Sequence, residues 1–247
     1  MITSLKRLSK IRVKSGENDL GHIFDLITTD DQWKVCYYMS RKLGLVSSKL
    51  LIAPTVLGDL QHGIELGFLN VDRNTIDAAP LLVTEHPLSQ QVDLTHPIYR
   101  WPIYPDDGGI WGAAPHLVGI FSEREKNRRS DPHLRSGKQI LGMQIESRQK
   151  QIGRVSDFLI ETESSVIRYF VVKKTKLLST QFFLIFPQWI ESISYLKRKV
   201  TLNLEPSLFA SAPHYAAQID VNRELETKIF AHYGMPGYWE SGEKAAV

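Results

Sequence analysis

Two aspartates, Asp25 and Asp157, occupy equivalent places in two similar stretches of the chain, and a repeated carboxylate is the first candidate for chemistry. They end Gly21-His-Ile-Phe-Asp25 and Gly153-Arg-Val-Ser-Asp157, where strand alternation sets each carboxylate on the face of Ile23 or Val155 and partly buries it. A carboxylate so placed is either a general base or metal ligand, or an acceptor of backbone and turn hydrogen bonds. The first role needs a second acid or a histidine beside it, and none recurs in both copies. The expectation is structural: an aspartate on a β-bulge, with Gly21 and Gly153 marking the sharp bend.

Other groups capable of chemistry are scattered. His86, His96, His116 and His133 are too irregularly spaced for a structural zinc site. Gly108-Gly-Ile-Trp-Gly112 lacks the Lys-Ser/Thr of a phosphate loop and its strand-before, helix-after setting. The single cysteine, Cys36, excludes an internal disulfide and reads as a packed thiol in a reducing compartment. Neither a metal, a cofactor nor a catalytic set is expected.

The elements that hold these residues come in duplicate. Residues 11–25 resemble residues 143–157 at an offset of 132 positions, and residues 76–80 resemble 209–213 at 133. The chain of 247 residues therefore divides into a first domain (1–80), a connection (81–133), a second domain (134–214) and a tail (215–247). Hydrophobic content of 43% and charged content of 23% suit a folded globular protein. Residues 1–10 align with 134–142 and lack the apolar centre of a signal peptide, and no apolar run reaches the roughly 18 residues that span a bilayer.

Short β-branched and aromatic runs bounded by polar turns predict strands over residues 20–27, 33–39, 49–53 and 64–71, and again over 152–160, 166–172, 182–186 and 199–204. Pro54 and Pro187 stop the third strand of each set, and five or six such strands would close a small barrel. The connection combines Pro87, Pro97, Pro102 and Pro105 with Tyr99, Trp101, Tyr104 and Trp111, and reads as irregular chain lying against a barrel. Residues 122–130 read as a charged, solvated linker. In the tail, Val221, Leu225, Ile229 and Tyr233 recur every four residues behind Asp220 or Asn222 as cap, which predicts a short amphipathic helix ended by Gly234.

Charge separates the two copies. Residues 1–80 hold 10 Lys/Arg against 9 Asp/Glu, whereas residues 134–214 hold 12 against 6. Lys173, Lys174 and Lys176, with Lys197, Arg198 and Lys199, supply the excess at strand ends and turns, within reach of an acidic partner.

An opening Ser-x-Lys-x-Leu/Ile, then Gly-x-Ile/Val-x-Asp, an aromatic-aliphatic strand, a strand ended by proline and a closing alanine-proline segment resemble the PRC-barrel domain, here in tandem. The second copy carries the pattern best, through Leu134-Arg-Ser-Gly-Lys138, Gly153, Asp157, Arg168-Tyr169 and Phe186-Pro-Gln-Trp-Ile190, while the first departs at Leu57-Gly-Asp-Leu-Gln61. The domain takes its name from the H subunit of the photosynthetic reaction centre and also forms the carboxy-terminal part of a ribosome maturation factor. The resemblance implies a mainly β fold, two small PRC-type β-barrels in tandem with a short C-terminal α-helix, and a binding or assembly role without catalytic residues.

The resulting expectation is a non-enzymatic, cytoplasmic protein-interaction module. Its partner-binding candidates are Trp189, Tyr195, Lys173, Lys174, Lys197 and Arg198, aromatic anchors combined with orienting cations. The partner is expected to be a protein, and self-association is compatible with the same surfaces. RNA or ribosome association through the basic second barrel is the alternative, and it would weaken steeply with salt.

Overall fold

The computed structural model describes residues 2–41, 49–58, 66–82, 88–101, 133–176, 179–216 and 221–240. The first half contributes β1 (Ile2–Ser4), β2 (Arg12–Ser15), β3 (Asn18–Thr29), β4 (Val35–Arg41), β5 (Lys49–Ile52), β6 (Leu66–Phe68) and β7 (Ile98–Trp101). The second contributes β8 (Leu134–Ser136), β9 (Gln144–Ser147), β10 (Lys150–Glu161), β11 (Val166–Lys176), β12 (Ser179–Ile185), β13 (Ile190–Ser194) and β14 (Lys199–Leu202). Helices α1 (Leu5–Leu8), α2 (Arg73–Ala78), α3 (Leu88–Gln91) and α4 (Gly137–Ile140) are single turns or little more, and α5 (Arg223–Tyr233) is the longest among the described residues. The fold is mainly β.

Each repeat builds the same meander. Strands β2 to β5 and β9 to β12 pair antiparallel in sequence order, while β6 runs parallel to β2 and β14 parallel to β9. The expected closed barrels are not formed: among the described residues each sheet follows an open path, one from β12 to β13 and the other from β6 to β7. Proline supplies the physical reason on one side. β12 passes into β13 through the 3-10 helix Pro187–Trp189, and a residue without an N–H cannot carry a ladder across that corner.

Two compact units result, and their limits differ from the expected domains 1–80 and 134–214. One unit gathers Met1–Lys6, Gln32–Lys34 and Gly137–Val247, and the other Arg7–Asp31 and Val35–Ser136. In the first of these, here the C-terminal unit, β1 lies antiparallel on β10, with Ile2 opposite Glu161, Thr3 opposite Ile160 and Ser4 opposite Leu159. In the other, the N-terminal unit, β8 lies antiparallel on β3, with Leu134 opposite Thr29, Arg135 opposite Thr28 and Ser136 opposite Ile27. Each repeat's opening strand thus completes the sheet of the other repeat. Because the two opening segments share one pattern, similarity alone does not tell which edge each takes.

The hairpin tip of the first repeat makes the same crossing. Trp33 is buried in the C-terminal unit, edge-on to Phe170 at 4.8 Å, and its carbonyl accepts from Ile167 N at 2.8 Å. Trp33 and its repeat equivalent Ser165 both have positive φ, 59° and 56°.

The connection is more regular than its composition predicts, since Ile98–Trp101 forms β7 on the edge of β5. Pro97 precedes this strand and Pro102 follows it in sequence, so neither ring has to donate to the ladder. His86, His116, residues 108–112 and residues 122–130 lie outside the described residues.

Candidate functional site: two aspartate clamps and a cationic row

Asp25 and Asp157 are buried, 0% and 6% exposed, and each sits at a slip in strand register, between Ile23 and Asp25 and between Val155 and Asp157. Such a slip turns the carboxylate back onto its own backbone. Asp25 accepts from Leu26 N at 2.8 Å and from the Ser136 hydroxyl at 2.5 Å. Asp157 accepts from Phe158 N at 2.9 Å and from Lys6 N at 3.3 Å, and the Ser4 hydroxyl completes its set. Burial pushes the Asp157 carboxyl above the ordinary carboxylate range, and the hydrogen bonds from Phe158, Lys6 and Ser4 offset part of that rise.

The serines are the opening residues of the shared Ser-x-Lys pattern, so each aspartate is clamped by a hydroxyl from the opposite repeat. Gly21 and Gly153 adjoin further slips, Gly21 at φ 84°. A Cβ on Gly153 would stand 2.6 Å from the Lys173 carbonyl oxygen, which leaves no room for a side chain. Among the described residues no group of three His, Cys, Asp or Glu could hold a metal ion.

The exposed chemistry of the C-terminal unit lies elsewhere. Lys199, Gln144, Arg154 and Lys173 stand opposite one another on β14, β9, β10 and β11. Cross-strand partners share a face, here the outer one, since the neighbours Val200, Ile145, Val155 and Val172 are buried. Lys199 is paired with Glu146 at 2.7 Å, while Arg154 and Lys173 are exposed.

The β13–β14 turn extends the row. Its backbone is closed by Arg198 N donating to Tyr195 O at 3.2 Å and by Lys197 N donating to Ser194 Oγ at 3.3 Å. Arg198, at φ 49°, donates to Leu141 O at 2.9 Å, and Arg154 donates to the adjacent Gly142 O at 3.1 Å, so both guanidiniums gather over one turn. Leu196 stands at the tip, 96% exposed, between half-buried Tyr195 and exposed Lys197.

Four of the expected partner-binding residues, Lys173, Tyr195, Lys197 and Arg198, therefore fall on or next to this row. Lys174 does not: alternation turns it to the opposite side of β11, where its ammonium donates to Phe209 O at 3.3 Å. Arg154 and Leu196 were not among the candidates. Their signal is register and turn geometry, which a run of charges does not reveal.

The N-terminal unit repeats the row in weaker form. Arg12, His22 and Arg41 stand opposite one another on β2, β3 and β4. Arg12 is paired with Asp19 at 2.5 Å, and Arg41 lies over the Phe24 ring at 5.3 Å.

Trp189, expected as a partner anchor, is buried among aromatic rings of its own unit. It is 7% exposed, with ring centroids of Tyr233, Phe230 and Phe186 at 4.7, 5.3 and 6.1 Å. Helix α5 supplies two of these rings. The Asn222 side chain caps it by accepting from Leu225 N at 2.9 Å, and Gly234 ends it at φ 65°. Its Glu226, 4% exposed, accepts from the hydroxyls of Tyr169 and Tyr238 at 2.8 and 2.9 Å and pairs with Arg223 at 3.0 Å. Burial, reinforced by the neighbouring Glu226, pushes the Tyr169 phenol far above its ordinary range. Arg223 covers the Trp239 ring at 4.0 Å, so the aromatic end of the tail is folded onto its own unit.

The model of the PRC-barrel domain matches residues 132–205, the second repeat. That segment is a PRC-barrel domain, a β-sheet module. No curated protein matches the chain. No helix among the described residues is long and apolar enough to cross a membrane.

Proposed function

We propose that this protein is a non-catalytic binding and assembly module built from two PRC-type units, the first repeat being a diverged second copy of the domain matched in residues 132–205. The meander shared by both repeats and the equivalent clamps on Asp25 and Asp157 support the second copy. The observation that carries the function is the row Lys199–Gln144–Arg154–Lys173 with Arg198 and Lys197 beside it, which gathers cations on the outer face of the sheet.

A regular row of cations fits an acidic protein surface, which it would orient and attract, while Leu196 adds an apolar contact at the tip. The lone Cys36 favours a reducing compartment, and the cytoplasm is the proposed location. RNA is the second reading, favoured by Tyr195 beside Lys197 and Arg198, an aromatic next to cations as base stacking requires.

The test is affinity capture from lysate with the full chain and with the double variant Arg154→Glu, Lys173→Glu, each with and without nuclease. A protein partner retained after nuclease and lost with the double variant supports the proposal. Partners unchanged by the double variant overturn it, and retention that vanishes with nuclease transfers the row to RNA.

A further inference from the structure

The opening strands are donors in a strand-exchange arrangement. Residues 2–6, β1 with the start of α1, contribute Thr3 and Leu5 to the buried interior of the C-terminal unit and the Ser4 hydroxyl and Lys6 N–H to Asp157, yet the β1 ladder on β10 covers only three residue pairs. β8 does the same for the N-terminal unit, with Ser136 on Asp25 and three pairs on β3. Both donors read apolar-x-Ser-x-Lys, as Ile2-Thr-Ser4-Leu-Lys6 and Leu134-Arg-Ser136-Gly-Lys138. The acceptor recognises backbone through its edge and a hydroxyl through its aspartate, and neither feature records which chain the donor belongs to.

We propose that the β10 edge with Asp157 is a strand-acceptor site whose partner is a second copy of this chain. Residues 2–6 of one copy occupy the acceptor of the other, and the reciprocal exchange closes a two-fold homodimer. In this chain each repeat's edge is completed by the opening strand of the other repeat rather than by its own. The same pairs formed between chains need no new contact, only a concentration at which a second chain competes with the tethered segment. Giving and taking one strand per copy satisfies both edges, so the assembly stops at two.

The experiment uses the full chain with Cys36→Ser, Thr3→Cys and Ile160→Cys. Residues 3 and 160 face each other across the ladder, and facing antiparallel pairs bring Cα atoms within disulfide range. Refolding in dilute solution followed by oxidation is expected to give a cross-linked monomer, and refolding in concentrated solution a dimer joined through the same two positions. Cross-linked monomer at both concentrations overturns the proposal. Should the triple variant fail to fold, two differently tagged copies of the unaltered chain are refolded together when concentrated. Capture through one tag then retains the other if exchange occurs, and its absence contradicts exchange.

Discussion

At the scale of single residues, Asp157 is a buried acid whose hydrogen bonds, not its charge, are what the fold uses. Asp157→Ala removes the acceptor for Phe158 N and Lys6 N, and leaving such buried donors unpaired costs on the order of 2 kcal/mol. Asp157→Asn keeps an acceptor oxygen and removes the charge, so urea unfolding at neutral pH is expected to show a much smaller loss. The pH dependence follows from the raised pKa of the buried carboxyl. The folded state favours the protonated carboxyl, so this group's contribution is full below the unfolded carboxylate range and is lost as pH rises through the folded value. The Asn variant should therefore gain on the parent as pH rises through that window, and a parallel pair of stability curves would contradict the assignment. The bulged aspartate is legible in the sequence because it recurs with its glycine. Its serine partner is not, because the hydroxyl comes from the far end of the other copy.

At the scale of elements, long strands are legible and three-residue strands are not. β3, β4, β10 and β11 are rich enough in β-branched and aromatic residues to show their periodicity, whereas Ile2–Ser4 and Leu134–Ser136 are too short to display any. The cationic row is hidden for a related reason, since Arg154 and Lys173 become neighbours only through the register of β10 and β11. Trp189 shows the converse, a residue whose burial comes from a distant element. The sequence offers it as an aromatic anchor for a partner, whereas α5 covers it with Phe230 and Tyr233. Trp189→Ala is expected to lower the unfolding free energy by about 3–5 kcal/mol, the usual loss for a large buried aromatic. A variant of parental stability would show that the ring is not buried by the tail.

At the scale of the whole chain, the repeat makes two units legible, and strand exchange changes what each unit is. Residues 134–214 taken alone lack the strand that completes β10 and the Trp33 ring that packs on Phe170, so the unit of folding is not the unit of repetition. The basic second unit, whose outer face is the proposed partner surface, then has a framework to which the first repeat contributes as well as forming its own.

The most direct measurement is amide hydrogen exchange on the full chain and on a chain lacking residues 1–4. Exchanged strands predict that the truncation exposes amides around Leu159, Ile160 and Glu161, more than 150 positions away in sequence, and leaves residues 27–29 protected beneath β8. Loss of protection at residues 27–29, with 159–161 unchanged, would show instead that each repeat keeps its own opening strand.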